Sequence, residues 1–287
     1  MPSETIQWFP GHMAKTRRLI SENIKNVDIV IEILDARIPY SSRNPEIARL
    51  IGDKPTLLLL NKASLADPAQ NASWVKRYTN ENTVCLLTDC VTGEGMNKMA
   101  PAIRSILAEK LRRYEEKGMN KRVRAMVLGI PNVGKSSLIN KLCQNKKAKV
   151  ENRPGVTLDK QWVSTNIGIQ LLDMPGILWP KFEDKTVGEN LAITGAIKDD
   201  ILDIEAIAMI LCNRLRTQYP QMLAQRYKLD SVPSQDEMDD YDLMCLIGKK
   251  RGFLISGGKI NTERTANMLL DEYRDAKMGR ISLDLPI

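Results

Sequence analysis

Eight residues, Gly129-Ile130-Pro131-Asn132-Val133-Gly134-Lys135-Ser136, constrain this chain more than any other stretch. They follow the apolar run 122–130 (RVRAMVLGI) and precede a helical pattern over about 135–144, so they read as strand, glycine loop and helix. That order suits a phosphate-binding unit. Glycines let the backbone curl until its N–H groups converge on phosphate oxygens at a helix N-terminus. Lys135 would reach the β and γ phosphates, and the Ser136 hydroxyl would face Mg2+. Asn132, Val133, Gly134, Lys135, Ser136 and Ser137 are therefore the candidate phosphate-contacting residues.

Around this unit the chain alternates strand and helix. VDIVIEILD (27–35), PTLLLL (55–60) and TVCLLT (83–88) are short apolar runs of the kind that fill a parallel sheet. A helix over about 97–117 is expected from Met99, Ile103, Ile106, Leu107 and Leu111. KQWVST (160–165) and IQLLDM (169–174) read as hairpin arms joined through Asn166-Ile167-Gly168. The expected architecture is a doubly wound α/β sheet with one antiparallel strand. After Trp179 strand-like runs vanish, and helical stretches such as 203–216 and 262–275 dominate. Two domains are expected: 1–179, with an N-terminal arm over 1–20, and a helical domain over 180–287.

The 287 residues can bury two cores, and 43% hydrophobic against 27% charged residues is an ordinary globular balance. Lysine and arginine number 42 against 35 aspartates and glutamates, and the resulting +7 favours a polyanionic partner. Basic residues gather at Lys110, Arg112, Arg113, Lys117, Lys121, Arg122 and Arg124, and again at Lys141, Lys146, Lys147, Lys149 and Arg153. Five scattered cysteines, with no CxxC pair, suit a reducing cytoplasm better than a zinc site. No apolar run approaches the roughly 18 residues a bilayer requires, so no membrane role is expected.

Two further motifs complete a nucleotide site. In Asp173-Met174-Pro175-Gly176 the carboxylate suits the outer sphere of Mg2+, and the Gly176 amide suits the γ-phosphate. Between it and the phosphate loop, Thr157 in Arg153-Pro154-Gly155-Val156-Thr157 offers a hydroxyl to the metal. Asn61-Lys62-Ala63-Ser64 follows the run 55–60 and resembles the NKxD motif by which GTPases read guanine. In that motif the Asn ties neighbouring loops, the Lys stem covers the base, and the Asp accepts two hydrogen bonds. Ser64 cannot accept that bidentate pair, which weakens discrimination by about 2–3 kcal/mol unless something substitutes. Asp67, a water held by Ser64, or backbone amides near Asp89, Cys90 and Val91 are the open alternatives.

The base-reading motif precedes the phosphate loop, the reverse of the Ras-like order. A permuted chain can keep the same site, because nucleotides contact only loops at the carboxyl ends of strands. With that order, Trp8-Phe9-Pro10-Gly11-His12-Met13-Ala14-Lys15, Leu34-Asp35-Ala36-Arg37-Ile38-Pro39 and Asp173–Gly176, the chain resembles the circularly permuted GTPases of the YlqF/YawG class over essentially its full length. The resemblance implies a circularly permuted Ras-like P-loop GTPase domain with a smaller all-helical C-terminal domain. It implies GTP/GDP and Mg2+ as ligands, and a monomer acting late in assembly of the large ribosomal subunit, with the helical domain holding rRNA.

The same resemblance points to His12 as the residue positioning the attacking water, since Ile177 stands where many GTPases carry Gln. Packing of the arm, or RNA contact, is the alternative reading of Trp8, Phe9 and His12. Asn132 resembles the Asn of potassium-activated GTPases, which would add a K+ site; a loop-stabilising hydrogen bond is the alternative. Two rival functions remain at this level: a hydrolysis-poor, nucleotide-gated rRNA-binding scaffold with relaxed base specificity, and a P-loop ATPase or kinase.

Overall fold

The computed structural model describes residues 11–119, 121–143, 162–179 and 182–286. The chain divides into two compact units, one of Met1–Glu183 with Asp284–Ile287 and one of Asp184–Leu283. The units thus part slightly beyond the expected position near 180, and the last four residues belong with the first unit.

In chain order the first unit holds α1 (Gly11–Asn23), β1 (Ile29–Asp35), α2 (Pro45–Ile51), β2 (Thr56–Asn61), α3 (Pro68–Tyr78) and β3 (Thr83–Leu87). It continues with α4 (Met99–Ile106), α5 (Ala108–Glu116), β4 (Arg124–Leu128), α6 (Lys135–Leu142), β5 (Trp162–Ser164) and β6 (Gln170–Asp173). The strands form one sheet in the order β3-β2-β1-β4-β6-β5. All pairings are parallel except β5 with β6. β1 and β2 are buried along their whole length, as strands covered on both faces must be, which is why their sequences are apolar without alternation.

On one face Leu34, Ala36, Leu58 and Leu60 pack with Trp74, Tyr78 and Cys85. α3 starts where it does because Asp67 accepts a hydrogen bond from the Ala69 amide (2.8 Å) and Pro68 occupies the first turn. The single helix expected over 97–117 is divided at Leu107 into α4 and α5. Hydrogen bonds nevertheless continue through the joint, from Leu107 N to Ile103 O and from Leu111 N to Leu107 O. Of the first basic cluster, Lys110 is paired with Asp28 at 2.6 Å, while Arg112 and Arg113 pair with Glu116 and Glu109 one turn away. Lys117, Lys121 and Arg122 stay exposed. Lys146, Lys147, Lys149 and Arg153 lie outside the described residues.

The second unit is helical among its described residues: α7 (Lys185–Ile193), α8 (Ile204–Gln218), α9 (Pro220–Tyr227), α10 (Asp240–Lys250) and α11 (Thr262–Arg274). α8 is the central helix, burying Ile207, Ala208, Leu211, Cys212 and Leu215. Charge segregation in this unit follows the helix dipole. Asp239 caps α10, Asp240 and Asp242 occupy its first turn, and Lys249 and Lys250 its last. No helix among the described residues is long and apolar enough to cross a membrane.

Candidate nucleotide site

The described candidate residues for nucleotide binding collect at the carboxyl ends of the parallel strands, where an open α/β sheet forms its crevice. Asp35 ends β1, Asn61 ends β2, Asp89 follows β3, Gly129 follows β4 and Asp173 ends β6. The connection order is permuted, but the strands bearing the loops are neighbours in space.

Asn61 is the joint between loops. Its buried Nδ2 donates to Val133 O in the phosphate loop (2.7 Å), and its Oδ1 accepts from the Cys90 amide (3.0 Å). Gly134 must remain glycine beside it, because a Cβ there would stand 2.3 Å from Asn61 Nδ2, on a backbone already at φ +107°. Gly176 is equally confined: a Cβ would meet Lys135 Nζ at 2.8 Å and Pro131 N at 2.9 Å. The phosphate loop and the loop after β6 are thus packed backbone against side chain. A cradle this close, with two glycines that exclude Cβ atoms and a lysine inside it, fits a phosphate group.

Lys135 opens α6, and its ammonium donates to Ile130 O at 2.7 Å. Burial pulls its pKa down to about 8, against the attraction of Asp173. Burial pushes the Asp173 carboxyl up, opposed by Lys135 and the Met174 amide. Ser136 and Ser137 follow in the first turn of α6 and are exposed, and Val133 is buried. Asn132 takes a left-handed conformation at φ +60°.

Lys62 also sits in the left-handed region, and its ammonium contacts Asp35 Oδ2 at 2.9 Å. Asp35 in turn accepts from the Arg37 amide and from its guanidinium, at 2.8–3.0 Å. Burial alone would raise the Asp35 carboxyl, but the charges of Arg37 and Lys62 hold it well below the usual carboxylate range. This buried support for Lys62 was not foreseen from sequence, although a carboxylate closing an apolar strand was visible there. The structure also engages Asp67 at the start of α3, and brings Ser64 Oγ into a hydrogen bond with Asp89 Oδ2.

Ile177 is buried, its N–H directed at Gly129 O (3.3 Å) and its carbonyl accepting from Asn44 Nδ2 (3.1 Å). It packs the loop after β6. His12 belongs to α1 by its backbone, while its side chain lies outside what is described. Thr157, Trp8 and Phe9 also lie outside the described residues.

A protein named ribosome biogenesis GTPase A in Priestia megaterium is 47% identical over 284 residues, spanning 98% of this chain and 97% of that one. The chain belongs to the ribosome biogenesis GTPase A family. A protein of that name from Bacillus pumilus is 45% identical over 98% of this chain and 99% of its own. Mitochondrial ribosome-associated GTPase 1 of Mus musculus is 33% identical over 99% and 91%. The family model described as 50S ribosome-binding GTPase matches residues 124–231. Among solved structures, one titled as GDP-bound TM YlqF superposes with a TM-score of 0.63 at 25% identity, covering 94% of this chain and 99% of that one. The GNP-bound YlqF from T. maritima gives 0.61 at 25% identity, with coverage of 95% and 98%. The fold is therefore a circularly permuted P-loop GTPase domain with a helical C-terminal part, as motif order implied.

Proposed function

We propose that this chain is a GTPase that assists late assembly of the large ribosomal subunit, hydrolysing GTP to time its own release from the precursor. The observation that carries the reading is the Asn61 bridge, which ties the base-reading loop to Val133 of the phosphate loop and to Cys90, making one site from motifs far apart in sequence. Names among its relatives, ribosome biogenesis GTPase A and mitochondrial ribosome-associated GTPase 1, support a ribosomal partner.

In this reading the amides of 132–137 and the Lys135 ammonium hold the phosphates. Ser136 and Thr157 would hold Mg2+ directly and Asp173 would support it through water, while the Gly176 amide would meet the γ-phosphate. The metal would supply charge neutralisation there. Asn61, Lys62, Ser64, Asp89 and Cys90 surround the base. Asn132 offers an oxygen to K+, and His12 orients water. Residues 180–287 meet rRNA, and the chain works as a monomer in the cytoplasm. Asp173–Gly176 leads by a short segment into the second unit, so release of that loop on hydrolysis has a direct covalent route to the RNA-binding part.

A second reading, a hydrolysis-poor scaffold gated by nucleotide, draws on Ser64 and on the buried Ile177. Steady-state GTP turnover with and without purified large ribosomal subunits, in K+ and in Na+, separates the two. The GTPase reading expects stimulation of roughly tenfold or more by the subunit, reduced by a similar factor in His12→Ala. Turnover indifferent to the subunit contradicts it, and His12→Ala with undiminished stimulation removes His12 from the chemistry.

A further inference from the structure

Ser64 stands where the guanine-reading motif ends in a carboxylate, and one hydroxyl cannot replace two carboxylate oxygens. The ladder between β2 and β3 runs on past both strands. Thr88 N donates to Leu60 O at 2.9 Å, and Ala63 N donates to Thr88 O at 3.1 Å. The next residue on each side, Ser64 and Asp89, is thereby brought face to face, and the Ser64 hydroxyl donates to Asp89 Oδ2. Asp89 Oδ1 is turned the other way, accepting from the amides of Val91 (2.8 Å) and Thr92 (3.0 Å), which fixes the rotation of the carboxylate. Cys90, immediately after it, has its amide on Asn61 Oδ1. Asp67, the other acid near this loop, has its carboxylate on the α3 cap.

We propose that the base-reading carboxylate of this chain is Asp89, supplied by the loop after β3, and that Ser64 completes it. The N2 amine of guanine meets Asp89 Oδ2, and its N1–H meets the Ser64 oxygen, whose own proton points at Asp89. The inference rests on the guanine-nucleotide reading above. Two oxygens joined by one O–H···O⁻ hydrogen bond stand about 2.5–2.7 Å apart and share one negative charge, so a paired acceptor is rebuilt from two residues. Burial alone would raise the Asp89 carboxyl, but the hydrogen bonds from Ser64, Thr92 and Val91 hold it below the usual range, so it is ionised at neutral pH. Adenine, which presents an acceptor at N1, is repelled. Xanthine, which carries a carbonyl where guanine has its amine, is repelled too, and an amide at position 89 would reverse that preference.

The test is equilibrium binding of GDP, XDP and ADP, with Mg2+, to the full chain. Three proteins are compared: wild type, Asp89→Asn, and the exchange variant Ser64→Asp with Asp89→Ser. Wild type should prefer GDP to both competitors by about tenfold or more, and Asp89→Asn should lower the GDP-to-XDP preference by at least about tenfold. The exchange variant, with the carboxylate returned to position 64, should bind GDP within about threefold of wild type. A wild-type preference for GDP that Asp89→Asn leaves unchanged overturns the inference and spares the guanine reading. If Asp89→Asn loses GDP and XDP alike, the exchange decides: restored GDP preference supports the relocation, and unrestored preference makes Asp89 a loop staple. A wild type that does not prefer GDP to ADP overturns the guanine reading and this inference together.

Discussion

Asp35 carries two cations, the buried Arg37 guanidinium and the Lys62 ammonium, and is itself buried at the end of β1. An ion pair in such a place need not stabilise the fold relative to an apolar substitute, but removing one partner leaves a buried charge without its counter-charge. Asp35→Asn should therefore cost about 3–5 kcal/mol in urea unfolding near neutral pH. Because the folded pKa of Asp35 is depressed, its contribution is present above the unfolded value of about 3.9 and is lost as pH falls through the folded value. The gap between wild type and Asp35→Asn should accordingly narrow on acidification below about pH 4, and a gap independent of pH contradicts the role assigned to the charge. The Lys62 side of the site was legible as a motif. What holds Lys62 was not, because the sequence shows that Asp35 ends a strand but not that β1 and β2 pair Asp35 with Asn61.

Between the elements, the same joint decides whether loops from different strands make one site. Asn61 at the end of β2 holds the loop after β4 and the loop after β3, and Gly134 leaves it the space. Asn61→Ala and Gly134→Ala disturb one contact from opposite sides. Each should weaken GDP affinity about tenfold, and the double variant should fall short of their product by a coupling of about 1 kcal/mol or more. Strictly multiplicative losses contradict a shared joint. Strands were readable here because parallel strands buried on both faces need unbroken apolar runs, and the phosphate loop because its glycines have a fixed spacing. The division of α4 from α5 at Leu107 was not readable, since Met99, Ile103, Ile106, Leu107 and Leu111 keep helical spacing straight through it. Nor was the Ser64–Asp89 contact, which needs the β2–β3 register to bring residues of two loops together.

Over the whole molecule, the second unit is bounded by the first at both of its chain ends. It begins at Asp184, and after Leu283 the chain rejoins the first unit, where the Asp284 carboxylate takes the Ser41 amide (2.6 Å) and hydroxyl (2.7 Å) and its carbonyl accepts from Trp74 Nε1 (3.3 Å). Loss of strand-like runs marks a change of character near residue 180, whereas the return at Asp284 has no counterpart in the sequence, because four residues carry no pattern. The helical unit is therefore an insertion held by two strands of covalent chain, one of them leading from Asp173–Gly176. That connectivity suits a switch in which the state of the γ-phosphate is felt by the part proposed to meet RNA. In the proposed function, nucleotide state sets ribosome affinity. It is tested most directly by measuring the Kd of the full chain for purified large ribosomal subunits when bound to a non-hydrolysable GTP analogue and when bound to GDP. Binding should be tighter with the analogue by about tenfold or more, corresponding to about 1.4 kcal/mol of coupling. Equal affinity in the two states would contradict it.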